Sequence, residues 1–199
     1  HIMTGFGGAL KNIGMGCAAR TGKLAQHSDV SPFVRTKACI GCFICVKSCP
    51  ADAIEMIKDK ARIIKDKCIG CATCIAVCPK FAIDVDWDTG GSKIQQKMIE
   101  YAKAVLDTKQ DKAVFINFAI KITQECDCIA KDDPRIAPDV GILISKDPVA
   151  IDKACFDLVN NACGKDIFRE AHPKRDGMIQ LKHAVSMGLG SLDYELIEV

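Results

Sequence analysis

Cys39-Ile40-Gly41-Cys42-Phe43-Ile44-Cys45-Val46-Lys47-Ser48-Cys49-Pro50 and Cys68-Ile69-Gly70-Cys71-Ala72-Thr73-Cys74-Ile75-Ala76-Val77-Cys78-Pro79 are two copies of one pattern, C-x2-C-x2-C-x3-C-P. That spacing wraps three thiolates around one [4Fe–4S] cube and lends the fourth to a neighbouring cube. One copy is a strong signal, and a second in tandem leaves coincidence or paired zinc sites as poor accounts. Two [4Fe–4S] clusters are therefore expected. Cys39, Cys42, Cys45 and Cys78 would hold one, and Cys68, Cys71, Cys74 and Cys49 the other.

The repeat runs beyond the ligands. Lys37 to Met56 aligns with Asp66 to Val85, in the register that sets Cys39 on Cys68. In both copies the fourth cysteine and its proline lead into a turn and an apolar pair, Ala53-Ile54 and Ala82-Ile83. Lys58-Asp59-Lys60 joins the halves, and Arg62-Ile63-Ile64 reads as a short strand. Gly41 and Gly70 fall where backbone must curl tightly around sulfur, and Pro50 and Pro79 stiffen the exit from the fourth ligand. Ile40, Ile44, Ile69, Ile75 and Val77 are expected to keep water from the cubes. Halves of this size are too small to build a core from side chains, so the clusters should supply the interior and metal loss should unfold the segment. The arrangement resembles bacterial dicluster ferredoxins with every ligand matched, which implies one-electron transfer between two nearby low-potential centres.

Around this segment the pattern changes. Residues 35–87 read as an inserted α+β dicluster ferredoxin-like module, and 1–34 with 88–199 as a discontinuous α/β domain. Ser31-Pro32 marks the entry to the module and Gly90-Gly91 closes it. Ser92 is a candidate N-cap for a helix carrying Ile94, Met98, Ala102, Val105 and Leu106. Ala113 to Ile120 and Val140 to Ile144 read as buried strands, because their apolar runs are continuous. Asp147-Pro148 should cap and open a helix that Gly164 ends, with Ile151, Cys155, Leu158 and Ala162 on its apolar face. A last helix is expected from Met178 to Met187.

Bulk properties exclude several classes. The 199 residues are 49% hydrophobic and 26% charged with a net charge of +2, so neither nucleic acid nor an anionic membrane is implied. No apolar run approaches the roughly 20 residues of a membrane span. Thirteen cysteines, an odd number with eight at metal-like spacing, and no secretory signal point to a reducing cytoplasm rather than a disulfide framework.

Five cysteines lie outside the repeat. Cys155 and Cys163 suit a helix face and a helix end. Cys126 and Cys128, in Glu125-Cys126-Asp127-Cys128, follow a strand directly, and with Cys17 or a histidine they could hold a further metal; two plain loop thiols are the other reading. Gly5, Gly7 and Gly8 either let backbone approach an anion beside Lys11 or form a packing turn. His27 and His172 are candidate bases or ligands, with His183 a weaker one inside the last helix. Asp132, Asp133 and Asp139 beside two prolines read as turn residues.

Taken together, Thr4-Gly-Phe-Gly-Gly-Ala-Leu-Lys-Asn-Ile-Gly-Met-Gly-Cys17, Cys126-Asp-Cys128, Pro138 to Asp152 and Gly188-Leu-Gly190 resemble the domain of unknown function 362 family. That resemblance implies an iron–sulfur cluster-binding, ferredoxin-like protein and marks Lys11, Cys17, His27, Cys126, Cys128 and His172 as recurrent polar positions without assigning their roles. It also implies an α/β segment ahead of the glycine-rich stretch, so the α/β domain is expected to be incomplete at its N-terminus. The expected function is single-electron transfer as a redox protein or oxidoreductase component, with a redox partner protein and a small-molecule substrate in the α/β domain. A plain carrier whose α/β part only docks partners, and a metal-handling or redox-sensing protein, stay open.

Overall fold

The computed structural model describes residues 1–27, 32–85, 91–109, 112–126 and 132–199. In chain order these begin with α1 (Ala9–Lys11), a π-helical turn (Asn12–Gly16), α2 (Arg20–Gln26), β1 (Phe33–Val34), α3 (Ile44–Lys47), β2 (Ile54–Ile57) and β3 (Lys60–Ile63). A 3-10 turn (Lys65–Lys67), α4 (Thr73–Val77), β4 (Ile83–Asp84), α5 (Gly91–Leu106), β5 (Phe115–Ala119), β6 (Gly141–Ser145), α6 (Pro148–Cys163), α7 (Ile167–Ala171) and α8 (Met178–Ser186) follow. The fold is mixed α/β with small antiparallel sheets. Ser31, Gly90 and Cys128 lie outside the described residues. The chain divides into two compact units, His1–Cys17 with Gly91–Val199, and Ala18–Gly90.

The first unit is organised by its two long helices. The α5 stripe of Ile94, Met98, Ile99 and Ala102 is fully buried with Leu10, Val149 and Leu181. Removing each large side chain from water is worth about 1.5–3 kcal/mol. α5 begins at Gly91, so Ser92 sits within the helix rather than capping it. Gly14, in the π-helical turn, lies where a Cβ would stand 2.0 Å from the Met98 carbonyl oxygen. In α6, Asp147 Oδ1 accepts from Val149 N at 2.8 Å and Ala150 N at 2.9 Å, and Gly164 ends the helix in left-handed conformation at φ +64°. Phe6, Phe156 and Phe168 cluster with ring centroids 5.0–5.7 Å apart.

The sheet of this unit departs from expectation. β5 and β6 pair antiparallel, with Ile116 opposite Ile144 and Phe118 opposite Ile142. Phe115 and Ala119 are buried, whereas Phe118 is 63% exposed and Ile144 69%. A continuous apolar run reports two apolar faces, but burial needs a packing layer on each. Among the described residues only one face of this sheet is covered, so the strands are half-buried.

The second unit is a structural repeat. β1 pairs with β4 (Val34 opposite Ile83) and β2 with β3 (Ile54 opposite Ile63). The shift that carries Cys39 onto Cys68 also carries Val34 onto Ile63 and Ile54 onto Ile83, so one pairing is the image of the other. Each half therefore lends its closing strand to the opening strand of the other half. Cys45, Ile54, Ala61, Cys74 and Ile83 form the buried centre, with Cys39, Cys49 and Cys78 packed against it.

Candidate metal centres

The same sequence register recurs in the backbone that shapes the cysteine loops. Gly41 and Gly70 have φ of 69° and 68°, Phe43 and Ala72 have 62° and 56°, and Asp52 and Phe81 have 47° and 48°. Left-handed residues immediately before α3 and α4 turn the chain into the helices that carry the buried Cys45 and Cys74, while Cys42 stays exposed. After each fourth cysteine the backbone closes on its sulfur. Ala53 N donates to Cys49 Sγ at 3.2 Å, and Ala82 N donates to Cys78 Sγ at 3.2 Å. Ala61 N reaches Cys39 Sγ at 3.5 Å, and Thr73 Oγ1 lies 3.3 Å from Cys71 Sγ.

These loops enclose two small cavities. One is lined by Cys39, Cys42, Cys45 and Cys78 with Ile40, Phe43 and Lys80. The other is lined by Cys49, Cys68, Cys71 and Cys74 with Ile69, Ala72 and Thr73. Each thus draws three cysteines from one half and the fourth from the other. Among the described residues no three His, Cys, Asp or Glu side chains converge on a single metal ion. The thiols ring two spaces instead of meeting at two points.

Electrostatics differ around each ring. The Ala61 amide holds the Cys39 thiol below its ordinary value. Burial raises Cys45, and burial with the neighbouring Cys68 and Cys71 charges pushes Cys74 up to about 12. Inner sulfurs are therefore costly to ionise until positive charge enters beside them. The apolar screen is thinner than expected. Ile75 and Val77 are half-buried, but Ile44 is exposed, Ile40 is 58% exposed and Ile69 66%. Ile40 and Ile69 lie on loops and Ile44 opens α3, and all three face water.

A second polar constellation lies in the first unit. Asp152, on α6, is fully buried, and its carboxylate accepts from Ala9 N (2.7 Å), Leu10 N (2.9 Å) and Asn117 Nδ2 (2.7 Å). A Cβ on Gly8 would stand 2.3 Å from Asp152 Oδ1, which explains the glycine beside it. Burial raises the Asp152 carboxyl to about 6, against the pull of those three donors. The glycine-rich start and the Asp147–Asp152 run are thus one assembly. A family model described as Domain of unknown function (DUF362) matches residues 1–157.

The chain belongs to the DUF362 family. No curated protein and no solved structure matches it. In this DUF362 chain Asp152 is a residue that sequence reasoning misses. A lone carboxylate within Val149-Ala150-Ile151-Asp152, on an otherwise apolar helix face, is the available signal. Asp152, Asn117 and Cys155 line a cavity of about 670 Å³ with Gly7, Gly8 and Phe156. Asn117 Nδ2 also donates to Cys155 Sγ at 3.5 Å, and burial pushes that thiol up to about 11.

Of the other candidate residues, Lys11 and His172 are both brought to the Gln124–Cys126 segment. Lys11 Nζ donates to Cys126 Sγ at 3.6 Å. Cys126 is disulfide-bonded, Cys17 is an exposed free thiol, and Cys128 lies outside the described residues. His172 is buried, donates from Nε2 to the Gln124 carbonyl at 3.0 Å and lies 3.7 Å from Glu125. Burial lowers His27, and His183 Nε2 lies 3.8 Å from Glu100. No helix among the described residues is long and apolar enough to cross a membrane.

Proposed function

We propose that this chain passes single electrons through two [4Fe–4S] clusters, one in each cysteine-lined cavity of the Ala18–Gly90 unit. In this reading the unit is a dicluster ferredoxin-like module, and the protein is a redox protein or oxidoreductase component of a reducing cytoplasm. The observation that carries it is the division of eight cysteines into Cys39/Cys42/Cys45/Cys78 and Cys49/Cys68/Cys71/Cys74.

The donor set suits the cluster. Each cavity is lined by four cysteines, the first also by Met56, and neither by a carboxylate or imidazole. A lone zinc would need its thiolates about 2.3 Å away and converging. Bound clusters would each supply reversible one-electron chemistry. The protein's part is positional and electrostatic. Gly41 and Gly70 allow the loops to curl, while the Ala53, Ala61 and Ala82 amides set partial positive charge against sulfur. Buried Ala53, Ile54, Ala82 and Ile83 keep water from the inner sides. The 670 Å³ cavity beside Asp152 supports a component that also binds a small molecule over a plain carrier with a filled core.

Anaerobically purified protein should contain about eight irons and eight acid-labile sulfides per chain, the sum of two cubes. Zinc in place of iron, or iron without sulfide, would overturn the reading.

A further inference from the structure

The repeat supplies its own control, because each surface position around one cavity has a counterpart in the other half around the other cavity. Consider residues 35–48 and 78–81, which form the first cavity's loop and its fourth-cysteine exit. They carry Arg35, Lys37, Lys47 and Lys80 and no carboxylate. Their counterparts, 64–77 and 49–52, carry Lys65 and Lys67 against Asp66 and Asp52. Lys37, Lys47 and Lys80 are exposed, and their counterparts are Asp66, Ala76 and Ala51. Arg35 is paired with Asp84 at 3.8 Å, so the three lysines carry the excess. The β2–β3 turn adds Lys60, which donates to the Cys39 carbonyl, and Asp59, whose carbonyl faces Gly41.

The apolar surface is just as lopsided. Phe43 is exposed where the other half has buried Ala72, and Phe81 is 70% exposed where the other half has Asp52. Both phenylalanines have positive φ. A large aromatic at such a position costs backbone energy, and in water it recovers none by burial. Ile40 has an exposed counterpart in Ile69, so the apolar difference between the two halves is the phenylalanine pair, which accompanies the three lysines around the first cavity only.

We infer that the surface around the Cys39/Cys42/Cys45/Cys78 cavity docks an acidic electron-transfer protein, its carboxylates meeting Lys37, Lys47 and Lys80 and its apolar centre covering Phe43, Phe81 and Ile40. This rests on the two-cluster reading. Complementary charge would steer encounter, and burial of the aromatic pair would hold the complex. One electron leaves the reduced module at this face and one enters the partner; the second cavity, with balanced charge, faces no such partner.

The test uses protein whose iron and sulfide have been counted, with flavodoxin as the acidic protein probe. Zero-length carbodiimide cross-linking should join flavodoxin carboxylates to Lys37, Lys47 or Lys80, as mapped by mass spectrometry. Cross-links chiefly to Lys65 or Lys67, or none at low salt, would overturn the proposal. Independently, oxidation of the reduced protein by anionic cobalt(III)-EDTA should slow with added salt, and by cationic hexaamminecobalt(III) should not. Lys37→Glu/Lys80→Glu should slow the anionic oxidant on the order of fivefold or more at low salt. Lys65→Glu/Lys67→Glu should change it less than about twofold. Equal effects of the two variants would overturn the proposal. Lys47→Glu serves if the first variant loses iron. Wild-type protein lacking eight irons defeats the two-cluster reading itself, whereas full iron with misplaced cross-links defeats only the docking face.

Discussion

The Asp152 carboxylate receives the Ala9 backbone N–H at 2.7 Å across 143 residues of sequence, latching the glycine-rich start of the chain onto helix α6. Burial outweighs the three donors and raises this carboxyl from 3.8 to about 6. A raised acid favours the folded state when protonated. Its contribution is complete below about pH 4 and is lost as pH rises through about 6, on the order of 2–3 kcal/mol. In Asp152→Asn that pH dependence should disappear: the variant should lose about 1–3 kcal/mol against wild type at pH 4, because an amide offers one acceptor oxygen where Ala9 and Leu10 reach two, and the gap should narrow as pH rises through about 6. Denaturant melts of both proteins at pH 4, 5, 6 and 7 give the comparison; parallel curves would show that Asp152 is not the titrating group.

Iron removal should act on one unit. Cysteine sulfurs make up much of the packed centre of Ala18–Gly90, whereas the first unit is closed by Leu10, Met98, Ile99 and Leu181. Chelation under reducing conditions should collapse amide protection in residues 32–85 and leave α6 protected, as read by hydrogen exchange. Persistent protection of β2 and β3 without iron would show that the side chains suffice.

Pairing of cysteines between halves can be read from iron counts. Cys45→Ala, Cys78→Ala and the double variant should each retain about four irons, because both residues serve one cube. Cys49→Ala/Cys78→Ala should lose both clusters. Retention of about four irons in that last variant would place Cys49 and Cys78 on the same cube.

Gly14→Ala should destabilise the first unit by about 2 kcal/mol or more, since the added Cβ meets the Met98 carbonyl oxygen at 2.0 Å and both sides are backbone. Gly164→Ala has open space around its Cβ and only the left-handed φ to resist, so about 1 kcal/mol is expected. Thermal melts rank the two; the reverse order would mean that the π-helical turn repacks freely.

Local chemistry was legible in the sequence where its cause is local. The cysteine spacing, the glycines inside each loop, and the Asp147 cap with Pro148 and Gly164 around α6 are all set within a few residues. Asp152 was hidden because its partners Ala9, Leu10 and Asn117 arrive from distant segments. The exposure of Phe118 and Ile144 was hidden for a related reason: an apolar strand states what it can bury, and only neighbouring elements decide what it does bury. The left-handed Phe43 and Phe81 broke the usual preference for glycine and could not be anticipated from propensity.

The exchange of strands between the halves bears on how such a module could arise. Residues 60–85 alone would possess two strands without their mates and three cysteines around a ring that takes its fourth from elsewhere. Two identical copies of such a peptide could supply both deficits reciprocally, each filling the vacancy of its twin. Joining them through Lys58-Asp59 would turn that encounter between molecules into a fold within one chain, freeing the two surfaces to diverge, as Phe43 and Ala72 have done.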